Sequence, residues 1–134
     1  MTDHEKILKM IEEVSPDDTA KLDEIDARIF CLRNGIDPDS TEELGVPDWT
    51  TRNAPQYTRS RDAIRSIWPE RKFTYKLVND NWKTFGCFLV FWFGSGEHPL
   101  GMKQFISKYI PTMELAELHA IIQAIAYERS TDAA

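Results

Sequence analysis

Apolar residues recur along this chain with two periods, and the changes between them mark its organisation. Between residues 3 and 14, Ile7, Met10, Ile11 and Val14 fall three to four positions apart, the spacing of one helical face. Thr2 or Asp3 is placed to cap the first turn. Ser15-Pro16-Asp17-Asp18 follows, with a serine at a cap position, a proline suited to the first helical turn, and two acids that favour a helix N-terminus. This predicts a separate second helix over 16–34, buried through Leu22, Ile25, Ile29 and Leu32 and stopped at Gly35, where left-handed backbone is tolerated. Periodicity then lapses. Residues 36–56 hold Pro38, Gly45, Pro47, Asn53 and Pro55 and read as a long loop, with Trp49 the side chain best suited to pin it.

A short helix is expected from Thr58, capped by Thr58 or Ser60, burying Ala63, Ile64 and Ile67 and ending at Pro69. The period falls to two over residues 72–78, where Phe73, Tyr75 and Leu77 share one face of a strand. Asn79-Asp80-Asn81 reads as a turn and residues 82–93 as the partner strand of a hairpin. From Phe85 to Phe93 that strand is apolar on both faces, whereas a strand wetted on one side alternates, so protein is expected above and below it. Residues 97–110 fit either a short helix or a third strand. The choice matters, because the hairpin edge near Phe91, Trp92 and Phe93 needs cover from this segment or from a second copy. Thr112 caps a last helix with Leu115, Leu118, Ile122 and Ile125 as its stripe, fraying after Arg129. The expected class is α+β, an α/β/α sandwich with helices on both faces of a small antiparallel sheet and hairpin 72–93 at its centre. The 134 residues suit a single domain: N-terminal helices over 1–35, a loop over 36–56 and a helix–hairpin–helix unit over 57–130.

Three phrases stand out in that order. They are Leu22-Asp23-Glu24-Ile25-Asp26-Ala27-Arg28-Ile29, then Tyr57-Thr58-Arg59-Ser60-Arg61-Asp62-Ala63-Ile64, then Pro111-Thr112 leading to Ala116 and Ala120-Ile121-Ile122-Gln123-Ala124. With the hairpin between the second and third, they resemble the small phage and prophage proteins of the phage ABA sandwich domain, over roughly residues 15–129. In that group an S-x-D-A helix precedes a β-hairpin and an alanine-rich helix closes the chain. This sequence departs from the pattern at residues 94–110, which are longer than the group's usual link. The resemblance implies a phage setting and a layered fold; it implies no reaction.

Charge is unevenly spread. Residues 1–48 carry fourteen acidic and five basic side chains, 49–110 four and ten, and 111–134 four and one, which together make the formal net charge of −6. The basic middle contains Tyr57, Arg59, Arg61, Arg65, Trp68 and Lys83, guanidinium and ammonium groups interleaved with aromatic rings. Such a cluster suits a carboxylate-rich protein partner, or a phosphate backbone, and equally suits an exposed helix face paired with the acidic N-terminal helices. Overall acidity opposes nucleic-acid binding through the 57–83 strip. Cys31 and Cys87 form no disulfide framework and sit among apolar residues, which points to small core side chains in a reducing cytoplasm. The opening residues, MTDHEKILKM, lack a basic-then-apolar leader pattern, and no apolar run approaches the ~20 residues of a membrane span. His4, His98 and His119 with the two cysteines show no metal-ligand spacing, and neither a metal nor a cofactor is expected. His119, beside Leu115 and Ile122 on the last helix, is a candidate base for a small hydrolase, or a boundary histidine bonded to its surroundings. The leading expectation is a non-catalytic phage accessory protein in the host cytoplasm. It would bind a host or phage protein, modulating host machinery or antagonising host defence; nucleic-acid binding is the alternative and homo-oligomerisation stays open.

Overall fold

The structure is a computed structural model that describes residues 2–35, 54–69, 73–80, 84–92 and 102–132. Helix α1 spans Asp3–Glu13 and opens on a capping box, in which the Thr2 hydroxyl accepts from the Glu5 N–H and the Glu5 carboxylate accepts from the Thr2 N–H. Its apolar stripe buries Ile7 and Ile11.

Helix α2 spans Thr19–Arg33 and begins later than Ser15-Pro16 implies. Pro16 and Asp17 form a turn, and the Asp18 carboxylate is the cap, accepting from the Lys21 N–H at 3.2 Å. The Ser15 hydroxyl instead accepts from the Asp17 N–H at 3.4 Å. Asp18 outcompetes Ser15 because an ionised acceptor at a helix N-terminus gains from the helix dipole as well as the hydrogen bond. At the far end Gly35 takes φ +70°, the left-handed stop that the sequence predicts. Residues 36–53, with Trp49, lie outside the described residues.

Helix α3 is one short turn and a half, Arg61–Arg65, with the Ser60 hydroxyl accepting from the Ala63 N–H. Strands β1, Phe73–Asp80, and β2, Thr84–Trp92, pair antiparallel from Phe73↔Phe91 to Asp80↔Thr84. Asn79 and Asp80 thus belong to the ladder rather than to the turn the sequence suggests. Residues 102–106 resolve as a third strand, β3, paired antiparallel with β2 from Phe88↔Ile106 to Trp92↔Met102. The sheet order is β1-β2-β3, so β3 supplies the edge cover that the hairpin needs.

Past β3 the two chains slip by one residue. Ser107 N–H donates to the Cys87 carbonyl and Cys87 N–H to the Ser107 hydroxyl, while Ile110 and Phe85 exchange both backbone bonds. Residues 107–109 therefore stand opposite Cys87 and Gly86, a bulge that bows the chain outward. It lays the Tyr109 ring over Gly86, 3.2 Å from where a Cβ would stand.

Helix α4, Met113–Asp132, is the hub of the molecule. The Thr112 hydroxyl accepts from the Leu115 N–H, and every residue from Leu115 to Ile122 is buried. A helix apolar all round belongs inside a core, not on its surface. It packs on β2 and β3 with one side and on α1 and α3 with others, while α2 closes over α1. Helical backbone continues to Asp132, three residues past the expected fraying point.

The α+β class is as expected, with helices contacting an antiparallel sheet. Helical cover is one-sided among the described residues. Pairing puts Tyr75, Leu77, Cys87, Leu89 and Phe105 on a common face, and α4 lies against it, leaving Cys87 and Leu89 wholly buried. The opposite face shows Thr74, Lys76 and Gln104 to solvent, with Ile106 48% exposed, Val78 and Phe88 half-buried, and Tyr109 over Gly86. No described helix forms the second outer layer of an α/β/α sandwich. A phenylalanine flanked by strands on both sides is half-buried without a helix above it, and this is the cover that the two-faced pattern of β2 records there.

Candidate functional site

The predicted basic cluster is brought together around two buried carboxylates. The turn before α3 puts Thr58 N–H 2.8 Å from the Asp26 carboxylate, which is only 2% exposed. Arg59 Nη2 donates to Asp23 at 2.5 Å and to Asp26 at 2.9 Å. Burial raises the Asp26 pKa, against the Thr58 N–H and the Arg59 guanidinium, both of which favour its charged form. Arg59 is thereby committed to fastening the 57–60 turn onto α2. Tyr57, expected in a contact patch, is 4% exposed and belongs to the core; its ring is consumed in packing and offers no contact surface. Lys83 lies outside the described residues.

One helical turn separates Arg61 from Arg65, so both reach the same neighbour on α4. That neighbour is Glu117, whose side chain is fully buried. Arg61 Nε donates to Glu117 Oε2 at 3.0 Å, while Arg65 Nε lies 3.2 Å from Oε1 as an ion pair without hydrogen-bond geometry, so each carboxylate oxygen faces one arginine. Arg61 Nη2 also donates to the Tyr75 hydroxyl. The Arg65 guanidinium stacks 4.0 Å above the Trp68 ring and 5.1 Å from that of Tyr75. Phe73 meets Trp68 edge-on, with ring centroids 4.6 Å apart, and keeps 41% of its surface exposed. The arginine side chains are 39% and 43% exposed.

Arg61, Arg65 and Trp68 from the predicted set are therefore one surface, and Phe73, Tyr75 and Glu117 complete it. The sequence carried a signal for Glu117: a lone carboxylate between Ala116 and Leu118, in the most apolar part of a helix, demands a cationic partner. Phe73 carried a misleading one, because alternation places it on the buried face of β1, yet at the start of the strand it meets Trp68 and keeps 41% of its surface exposed.

Cys87 and His119 are both enclosed, the first as the core side chain the sequence implies and the second as the one candidate base. Cys87 is wholly buried, and burial, helped by the nearby Glu117 charge, pushes its thiol up to about 12. His119 is 5% exposed. Gln123 Nε2 donates to the Ile106 carbonyl at 2.9 Å and sits 3.0 Å from His119 Nδ1. A carbonyl only accepts, so the amide NH2 faces both, His119 Nδ1 accepts, and the neutral ring carries its proton on Nε2. That nitrogen is 3.7 Å from the Glu12 carboxylate, which Lys108 also engages. Burial holds the His119 pKa below its ordinary value, while Glu12 pulls the other way.

The described surface includes two clefts at the N-terminal helices. One of about 330 Å³ lies between the end of α1 and the start of α2, over Met10, Val14 and Ile25. The other, about 190 Å³, lies between Leu22, Arg59 and Thr112. Neither is lined by His119 or Glu117. Among the described residues no three metal-ligating side chains gather at one point, and no helix is long and apolar enough to cross a membrane.

Comparison with protein-family models, with curated proteins and with solved structures gives no match. The likeness to phage ABA sandwich proteins thus stands on the three sequence phrases alone.

Proposed function

We propose that this chain is a non-catalytic accessory protein that acts by binding another protein, through the surface formed by Phe73, Trp68, Arg65 and Arg61. In the phage setting implied by the sequence phrases, the partner is a host or phage protein in the host cytoplasm. One observation carries the reading: an exposed phenylalanine, a half-buried tryptophan and two half-exposed arginines gather in one patch, the arginines over the buried Glu117. Tryptophan, tyrosine and arginine are the side chains most enriched where protein interfaces gain their energy, and an aromatic floor beside oriented guanidiniums has that composition. The closure of Cys87 and His119 supports a binding role, since a nucleophile or base needs access to a substrate.

The test is affinity capture from host-cell lysate with the wild type and with Phe73→Ala and Arg65→Glu. A partner retained by the wild type and lost by both variants is the expected result. Retention of the same proteins by the wild type, both variants and a scrambled control defeats the proposal.

A further inference from the structure

Glu117 is a costly residue. Taking a carboxylate out of water costs several kcal/mol before its partners return anything, and a well-packed apolar side chain usually serves a core position as well or better. Joining α3 to α4 does not require it, because Ile64 and Ile67 already bury themselves in the same core. What an apolar residue cannot do is orient arginines. Glu117 Oε2 accepts from Arg61 Nε, Glu117 Oε1 pairs with Arg65 by charge at 3.2 Å without hydrogen-bond geometry, Tyr75 holds Arg61 from the side, and the Arg65 guanidinium rests 4.0 Å over the Trp68 ring. An arginine has five N–H donors. Glu117 and Tyr75 take only part of the two sets, and the two side chains keep 39% and 43% of their surface exposed. The triad of two arginines and one glutamate keeps one net positive charge, with Glu114 the further acid felt by Arg61.

From this geometry, and resting on the protein-binding reading above, we infer that Arg61 and Arg65, braced by Glu117, form a receptor for one oxyanion, a carboxylate or phosphoryl group, carried next to an aromatic side chain of the partner that packs on Trp68 and Phe73. Guanidiniums recognise planar or tetrahedral oxyanions by paired N–H donors, and bracing removes the rotamer entropy that free arginines lose on binding. The aromatic requirement follows from Phe73, which meets the Trp68 ring edge-on and keeps 41% of its surface exposed. A protein segment fits better than a nucleic acid. Arg59 is already neutralised by Asp23 and Asp26, and two remaining arginines on a chain of net charge −6 are few for tracking a phosphate backbone.

The test is an NMR titration that follows the arginine Nε–H and tryptophan indole signals. The probes are phenylacetate, phenyl phosphate, inorganic phosphate, acetate and a short oligothymidylate. The Arg61, Arg65 and Trp68 signals should shift together and saturate with one or both aromatic acids. That binding should be about tenfold tighter than to acetate or inorganic phosphate, the worth of one partly buried ring. Which aromatic acid binds tighter tells a carboxylate from a phosphoryl partner.

Arg65→Lys keeps the charge and loses the fork, and should weaken the aromatic acid about tenfold. Glu117→Gln adds a positive charge to the surface. Attraction by charge alone then predicts tighter binding, whereas loss of the brace predicts weaker binding, which is expected here. If Glu117→Gln does not fold, Arg65→Lys decides. Absence of saturable shifts, equal affinity for acetate, undiminished binding by Arg65→Lys, or tighter binding by a folded Glu117→Gln each overturns the inference. So does an oligothymidylate that binds tighter than either aromatic acid. Loss of small-probe binding while Phe73→Ala still abolishes capture leaves the protein-binding surface standing and removes only its oxyanion receptor.

Discussion

Asp26 and Cys87 show how differently burial treats two polar side chains. The Asp26 carboxylate is tolerated because it is filled: Thr58 N–H and Arg59 both donate to it. Removing it leaves the buried Thr58 N–H without its acceptor and takes from the partly buried Arg59 guanidinium one of its two carboxylates. Asp26→Ala should therefore cost about 3–5 kcal/mol, and Asp26→Asn, which still accepts from Thr58, distinctly less. Urea unfolding of the two variants measures the difference. Cys87 has no anionic role, and its thiol is pushed up to about 12. A thiol-specific disulfide reagent at mildly alkaline pH should leave Cys87 and the equally buried Cys31 unmodified in the native protein and label both after denaturation. The sequence supports this reading of the cysteines directly, since an apolar run around a thiol is visible without coordinates. It gives no such hint for Asp26, whose partners lie more than thirty positions away along the chain.

Among the elements, α4 is where local pattern and final environment part company. Its stripe of Leu115, Leu118, Ile122 and Ile125 is legible and buried, but so is every residue between Leu115 and Ile122. The helix needs partners on several sides, and two of its polar residues, Glu117 and His119, meet theirs on other elements. His119 ties α4 to α1 through Glu12, with Lys108 the other charge facing it, and Gln123 ties the same helix to the end of β3. A folded-state pKa below the unfolded value of ~6.5 means that the unfolded chain binds more protons as the pH falls. This stability contribution is complete above ~6.5 and declines as the pH drops from there towards the folded-state pKa. Unfolding free energy should thus be lower at pH 5 than at pH 7, and His119→Gln should flatten that part of the profile. Protonation also puts a donor on Nδ1 facing the Gln123 NH2, so the Gln123 side-chain signals should move with the His119 titration followed by NMR.

At the scale of the whole molecule, the arrangement is a sheet, then α4 with α3 beside it, then α1 and α2, all on one side of the strands. The two faces of the sheet should answer differently to the same mutation. Leu89→Ala empties a wholly buried site beneath α4 and should cost about 2–5 kcal/mol. Ile106→Ala, at a residue 48% exposed on the other face, should cost about 1 kcal/mol or less. Denaturant midpoints with unchanged slopes would show it. Comparable losses at the two positions would mean that Ile106 is covered, and sizing chromatography of Ile106→Lys would then reveal whether a second copy does the covering.

The four helices and the hairpin, apart from some of their ends, the Gly35 stop, the Thr112 cap and the α+β class follow from the residues in order, because caps, left-handed glycines and apolar periods act within a few positions; Thr2 and Ser60 are each one of two caps that the sequence offers. Asp18 rather than Ser15 as the cap of α2 is the local exception, decided by a carboxylate's stronger pull at a helix N-terminus. Which face of β2 receives a helix, that residues 102–106 join the sheet, and that Tyr57 is buried while Phe73 stays 41% exposed were decided only when distant segments packed. The arginine surface belongs to this second kind. Arg61 and Arg65 stand one turn apart in the sequence itself, but the carboxylate that aims them arrives from α4, more than fifty residues on, and long-range ion pairs of that sort leave no periodic trace.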